Sequence, residues 1–201
     1  MMAPLDLTSA LKEWHVAVQA LTQGDTILLL RKGGIRETQG EFTIPHRQVW
    51  LFPTYEHQKP ALLKPVYAHQ VQPVESGWHP QNVTLTGWAQ ITDVLSLPKA
   101  IALQPLLPFH IWNETFVSDR LNWKPRSPLL GLLLRVHRLS TPHTLTYDSS
   151  YGGCRSWIDL QTSLSTEGSA AVLSNGEYQQ RVDHIREIVA SAKPDAIASE
   201  P

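Results

Sequence analysis

TILLLRKGGIRETQGEFTIPHRQVWLFPTYEHQ, residues 26–58, is the stretch whose reading decides the fold. Residues 26–32 are a short apolar run of strand length that ends in two cations, Arg31 and Lys32. A run with no polar face reads as a strand buried on both sides, and so as a central one. Gly33 and Gly34 then supply backbone freedom for a tight turn. Residues 41–44 and 48–52 read as two further strands. Val49, Trp50, Leu51 and Phe52 make the second too apolar for an exposed edge. Pro53 and Thr54 end it, and residues 55–63 read as a short helix. On a helix the adjacent Glu56 and His57 point about 100° apart, so they do not form a ready-made acid–base pair, and a distant partner such as Glu37 or Tyr147 is open to His57.

Working outward, Leu11, Trp14, Val18 and Leu21 recur at helical spacing. They predict a first helix running to about Thr22, capped by Thr8 or Ser9 and closed by Gly24, with Lys12 and Glu13 on a solvated face. Residues 66–74 read as extended. Residues 83–97 alternate as one long strand or as a hairpin kinked at Gly87. Asn113 is a natural cap for a helix over 113–123, with Phe116, Arg120 and Trp123 on one face. There Arg120 stacks on the rings, pairs with a buried acid, or snorkels outward. Residues 129–139 predict a second central strand. After Ser140-Thr141-Pro142, residues 144–147 read as its partner and 156–160 as the last strand.

This order of elements predicts an α+β fold: a mixed, largely antiparallel sheet or partly open barrel with flanking helices. Residues 1–160 form a single domain and 161–173, rich in Ser and Thr, a linker. Residues 174–191 form a C-terminal helix that packs on the domain, opened by the capping box Ser174-x-x-Glu177, and 192–201 are a disordered tail.

Composition narrows the function. The net charge of −1 gives the whole molecule no basic field, so binding of nucleic acid has to come from a local patch. A single cysteine excludes an intramolecular disulfide and points to a reducing, cytoplasmic compartment. The N-terminus has no basic leader, and no apolar run approaches the roughly 18 residues of a membrane span, so no membrane partner is expected. Seven tryptophans suit either a thick core or a lined cleft.

Three groups of residues carry chemistry. The basic group is Arg31, Lys32, Arg36 and Arg47 with His46 nearby. Beside the amides of Gly33 and Gly34, and with Trp50 or Trp157 as a stacking surface, it suits single-stranded nucleic acid or an anionic metabolite. The nucleophilic group is Cys154, after Gly152 and Gly153, where a glycine turn exposes a thiol and offers amides to an oxyanion. In the third, Glu37, Glu56 and His57 could gather round a divalent ion. The nine histidines, however, make no HxxxH or HExxH pattern, and no metal site is assigned. No pattern names a cofactor.

LKEW at 11–14, LLRKGGI at 29–35 and FPTYEHQ at 52–58 resemble a bacterial domain-of-unknown-function family, number eighteen-oh-two, common in cyanobacteria. HIW at 110–112, LLRV at 133–136 and YGGCRSW at 151–157 are similar to that family's later blocks. The resemblance covers residues 9–160. It implies a bacterial cytosolic protein whose blocks form one domain, and no known activity.

The reading that follows is a binding module for nucleic acid or a nucleotide-like anionic ligand. Arg31, Lys32 and Arg47 would hold phosphate, His57, Gln58 and Trp157 would contact base or sugar, and Gly33, Gly34, Arg36, His46 and Arg155 complete the ligand site. The alternative is a hydrolase or metal-assisted nuclease using Cys154 or Glu56 and His57. A third possibility is a partner-binding domain whose aromatics are mostly core.

Overall fold

A computed structural model of the chain describes residues 4–32, 37–38, 41–42, 44–97, 104–123, 127–153 and 155–191. Its first elements are β1 (Asp6–Trp14), α1 (His15–Gln23), β2 (Leu28–Arg31), β3 (Glu37–Thr38), β4 (Glu41–Phe42), β5 (Gln48–Thr54) and α2 (Pro65–Ala68). There follow β6 (Asn82–Leu97), α3 (Glu114–Asn122), β7 (Leu129–Thr146), β8 (Trp157–Ser165), β9 (Ser169–Ala171) and α4 (Asn175–Ser191). One sheet runs β2-β7-β6-β5-β1-β8, with β9 paired to β7 beyond β2, while β3 and β4 form a separate ribbon. Among the described residues only β1 and β5 pair in parallel; the other pairs are antiparallel. The protein is mixed α+β, with an open, mostly antiparallel sheet that strand pairing does not close into a barrel.

β5 shows what holds this together. Side chains alternate along a strand, so Val49 and Leu51 join one apolar cluster and Trp50 and Phe52 another. The first cluster takes in α1, β2, α3 and α4. The second packs Trp88, Val83 and Leu160 beneath the opposite face. Burial on both faces is the reason the strand reads as an unbroken apolar run.

Tertiary pairing overrides several local readings. Residues 6–14 are a strand rather than the start of a helix, because β5 and β8 hydrogen-bond along its two edges. The helix starts at His15, and Gly24 closes it at φ 83°. β2 is at the end of the sheet and pairs with β7 alone. Leu28–Leu30 are nevertheless buried, since helices cover what strands do not. An apolar run therefore reports burial, not position in the sheet. Residues 55–63 make no α-helix: His57 takes the left-handed region at φ 63°, and only a 3-10 turn, Pro60–Leu62, follows. Within 66–74 the chain begins in α2 instead of running extended.

The strand expected at 129–139 and its expected partner at 144–147 are one strand, β7, which runs straight past Pro142. The proline falls where the register jumps from Gly87↔Arg138 to Leu85↔His143, an irregular stretch that tolerates a missing donor. β6 is continuous through Gly87, where a Cβ would lie 2.5 Å from His137 O. The stretch 161–173 is not a linker: it completes β8 and supplies β9, which pairs with His137–Leu139. Residues 192–201, expected as a tail, lie outside the described residues. Among the described residues no helix is long and apolar enough to cross a membrane.

Candidate functional site

Three strands separate β2 from β1 along the sheet. Yet Arg31, at the end of β2, reaches β1: its Nη2 donates to Lys12 O at 2.6 Å and lies 2.9 Å from Glu13 Oε2. The sheet curls until a side-chain bridge, not a strand pair, spans its opening. Glu13 is buried there, and its other oxygen accepts from its neighbour's amide, Trp14 N, at 2.7 Å.

A groove of about 590 Å³ lies over this bridge. The ends of β1, β2 and β5 supply Lys12, Glu13, Trp14, Arg31, Lys32 and Thr54, and the turn after β5 adds Glu56 and His57. Trp112, Phe116, Arg120 and Trp123, on and beside α3, form one wall. Gly153, Arg155 and Ser156, from the loop before β8, form another. The lining carries five lysines and arginines against two carboxylates. In a chain of net charge −1 this is a locally cationic surface.

Main-chain carbonyls hold most of these cations in place. Lys12 Nζ donates to Tyr151 O at 2.6 Å and Gly153 O at 2.8 Å. Lys32 Nζ donates to Leu121 O at 2.8 Å, and Arg155 Nη2 to Ser150 O at 2.7 Å. The Arg120 guanidinium carbon lies 5.0 Å from the Phe116 ring centre and 6.0 Å from that of Trp123. Burial, then the neighbouring Arg31 charge, lowers its pKa, but a guanidinium keeps its proton regardless.

At the mouth of the groove His57 Nε2 lies 3.2 Å from Glu56 Oε1. The two do face each other, because a left-handed turn replaces the expected helix. The same oxygen accepts from Gly77 N at 2.8 Å and from Ser76 Oγ at 3.1 Å. The Gly77 amide foremost, then Ser76, His57 and Lys12, hold this exposed carboxyl below the usual range, outweighing its partial desolvation. A second cavity of about 230 Å³ adjoins the groove and shares Lys12, Thr54, Glu56 and Gly153 with it.

Arg31, Lys32, Glu56, His57 and Arg155 thus come together from among the residues singled out in the sequence. Others do not join them. Arg47 is at the opposite end of β5, its guanidinium on Ile91 O and Thr92 O, with the exposed His46 beside it. Gln58 turns away to accept from Val16 N at 3.1 Å at the start of α1. Trp157 packs, half-buried, against the apolar core and is not among the groove's lining, and Trp50 is fully buried with its Nε1 on Leu7 O. Gly33, Gly34, Arg36 and Cys154 lie outside the described residues. Glu37 is described by its backbone alone. Among the described residues no group of three His, Cys, Asp or Glu is placed to hold a metal ion.

Sequence reasoning missed Lys12, Glu13 and Trp123 as groove residues. Reading 6–14 as a strand would have placed the first two at its C-terminal end, where the fold has them.

A family model described as "Domain of unknown function (DUF1802)" matches residues 10–184, beyond the 9–160 where the motifs lie. No curated protein matches the chain. Among solved structures, the chain is similar to ASCH from Zymomonas mobilis at 13% identity and a TM-score of 0.42, covering 87% of this chain and 93% of that one. A point mutant of the same protein aligns at 12% identity and 0.43, covering 87% and 94%. At these values the likeness carries no argument.

Proposed function

Because the chain belongs to a family of unknown function, DUF1802, we propose its role from the groove itself: the protein binds single-stranded nucleic acid along the opening of its curled sheet. The observation that carries this is the excess of cationic over acidic side chains beside aromatic rings on one concave surface. Phosphates need the charge, and unpaired bases need flat faces to stack on; a strand that supplies both at once fits such a groove. Arg120 and Arg155 serve the phosphates, and Trp123, 45% exposed, is the ring of this wall nearest solvent.

The test is anisotropy titration with single-stranded RNA and DNA across a salt series. Binding weakens as salt rises, and Arg120→Ala and Arg155→Ala each weaken it and reduce the slope of log K against log salt by about 0.7. Absence of binding at low salt, or wild-type slopes in both variants, overturns the reading. Comparing the two polymers identifies which nucleic acid is preferred.

The Glu56–His57 contact favours a second reading, a hydrolase with an acid–base pair at the groove mouth. It predicts turnover of bound RNA that His57→Ala removes; intact RNA after prolonged incubation with the wild type rules it out.

A further inference from the structure

We infer that the smaller cavity beside the groove is a nucleobase subsite, which receives one base turned out of a strand whose phosphates follow the groove. This rests on the groove reading above and adds a site to it. Six rings converge here from separate parts of the chain: Phe52 and Tyr55 around the end of β5, Trp78 and His79 before β6, and Tyr147 and Tyr151 after β7. They touch one another in sequence. Trp78 meets Tyr55 edge-on at 5.7 Å, His79 stacks on Tyr147 at 3.7 Å, and Tyr147 meets Tyr151 edge-on at 6.0 Å. Phe52 and Tyr151 form its floor as part of the second core cluster, and Trp78, 45% exposed, forms its rim.

The chemistry of its walls selects the occupant. An aromatic box can also capture an organic cation. Here Lys12 and Glu56 both line the cavity, so its walls carry one charge of each sign and no net negative charge to hold a cation. A neutral planar heterocycle needs none. The cavity's 230 Å³ admits one base and not a base pair. Lys12, Thr54, Glu56 and Gly153 line both cavities, so the base and the phosphate of one nucleotide can occupy the two at once. Trp78, His79 and Tyr147 line only the smaller one, which lets the two sites be tested apart.

The experiment compares oligoadenylate RNA, an abasic oligomer with the same ribose–phosphate backbone, and free AMP, each titrated against wild type, Trp78→Ala and Tyr147→Ala. Wild type is expected to bind the base-bearing strand about tenfold tighter than the abasic one. Each variant is expected to lose most of that factor while keeping the wild-type salt slope; unchanged thermal denaturation of the exposed-site Trp78→Ala shows that the loss is local. Variants that keep the wild-type ratio overturn the subsite and leave the groove; salt-dependent binding of both strands with equal affinity overturns the subsite and base stacking in the groove together. Binding of neither strand at low salt overturns both. Competition by AMP alone assigns the pocket to a free nucleotide; its absence alongside strand binding assigns it to a base within a strand.

Discussion

Arg31 illustrates how a residue singled out in the sequence takes a structural role in the fold. Its place beside the Gly33-Gly34 turn marks it as a phosphate ligand, and in the fold it neutralises the buried Glu13 and ties β2 to β1. Removing it strands a carboxylate that is only 7% exposed. Arg31→Ala is therefore expected to lower stability by about 3 kcal/mol, seen as a drop in urea midpoint, before it says anything about ligand. His110 gives a pH test of the core. Burial, with the Lys64 charge second, holds its pKa at about 4 against 6.5 in the free side chain. The unfolded chain thus takes up a proton that the folded one refuses. Stability is full above pH 6.5 and falls as pH drops toward 4, by about 3 kcal/mol. Burial lowers the pKa of His15 and His137 too, with the same sign. A urea-midpoint profile in His110→Phe should be flatter across that window; a profile parallel to wild type would refute the assignment.

At the scale of elements, α3 matters most because it carries the aromatic wall of the groove. Asn113 Oδ1 accepts from Phe116 N at 3.1 Å, as its position before the helix predicts. Its Nδ2 also donates to Ala61 O at 2.8 Å, which pins the helix start to the turn after β5. Asn113→Ala should cost about 1 kcal/mol of stability and raise amide exchange in the first turn of α3. Unchanged exchange there would show that packing of Phe116 alone holds the helix. This cap was legible in the sequence because its donor and acceptor are three residues apart. The N-terminal helix was misread because Leu11, Trp14, Val18 and Leu21 do fit helical spacing. The hydrogen bonds that make 6–14 a strand come from β5 and β8, about 40 and 150 residues away.

For the molecule as a whole, net charge and local charge make opposite forecasts. Arg155→Glu and Arg47→Glu change the total equally. Only Arg155 lines the groove, whereas Arg47 is at the far end of β5. Arg155→Glu should weaken binding of single-stranded RNA at least tenfold while Arg47→Glu leaves it within about twofold. Equal losses would mean that the overall field, and not the groove, draws the ligand.

From the sequence alone came the α+β class, the family resemblance, the doubly buried strand β5, the cap of α3 and the lack of any molecule-wide basic field. All are local patterns or sums over composition, and neither needs coordinates. The tertiary structure alone decided that β2 is an edge strand, that Glu56 and His57 meet, that Arg47 and Trp157 stand apart from Arg31, and that an aromatic box opens beside the groove. Each of these depends on how far the sheet curls, and pairing between segments remote in the chain sets that curl.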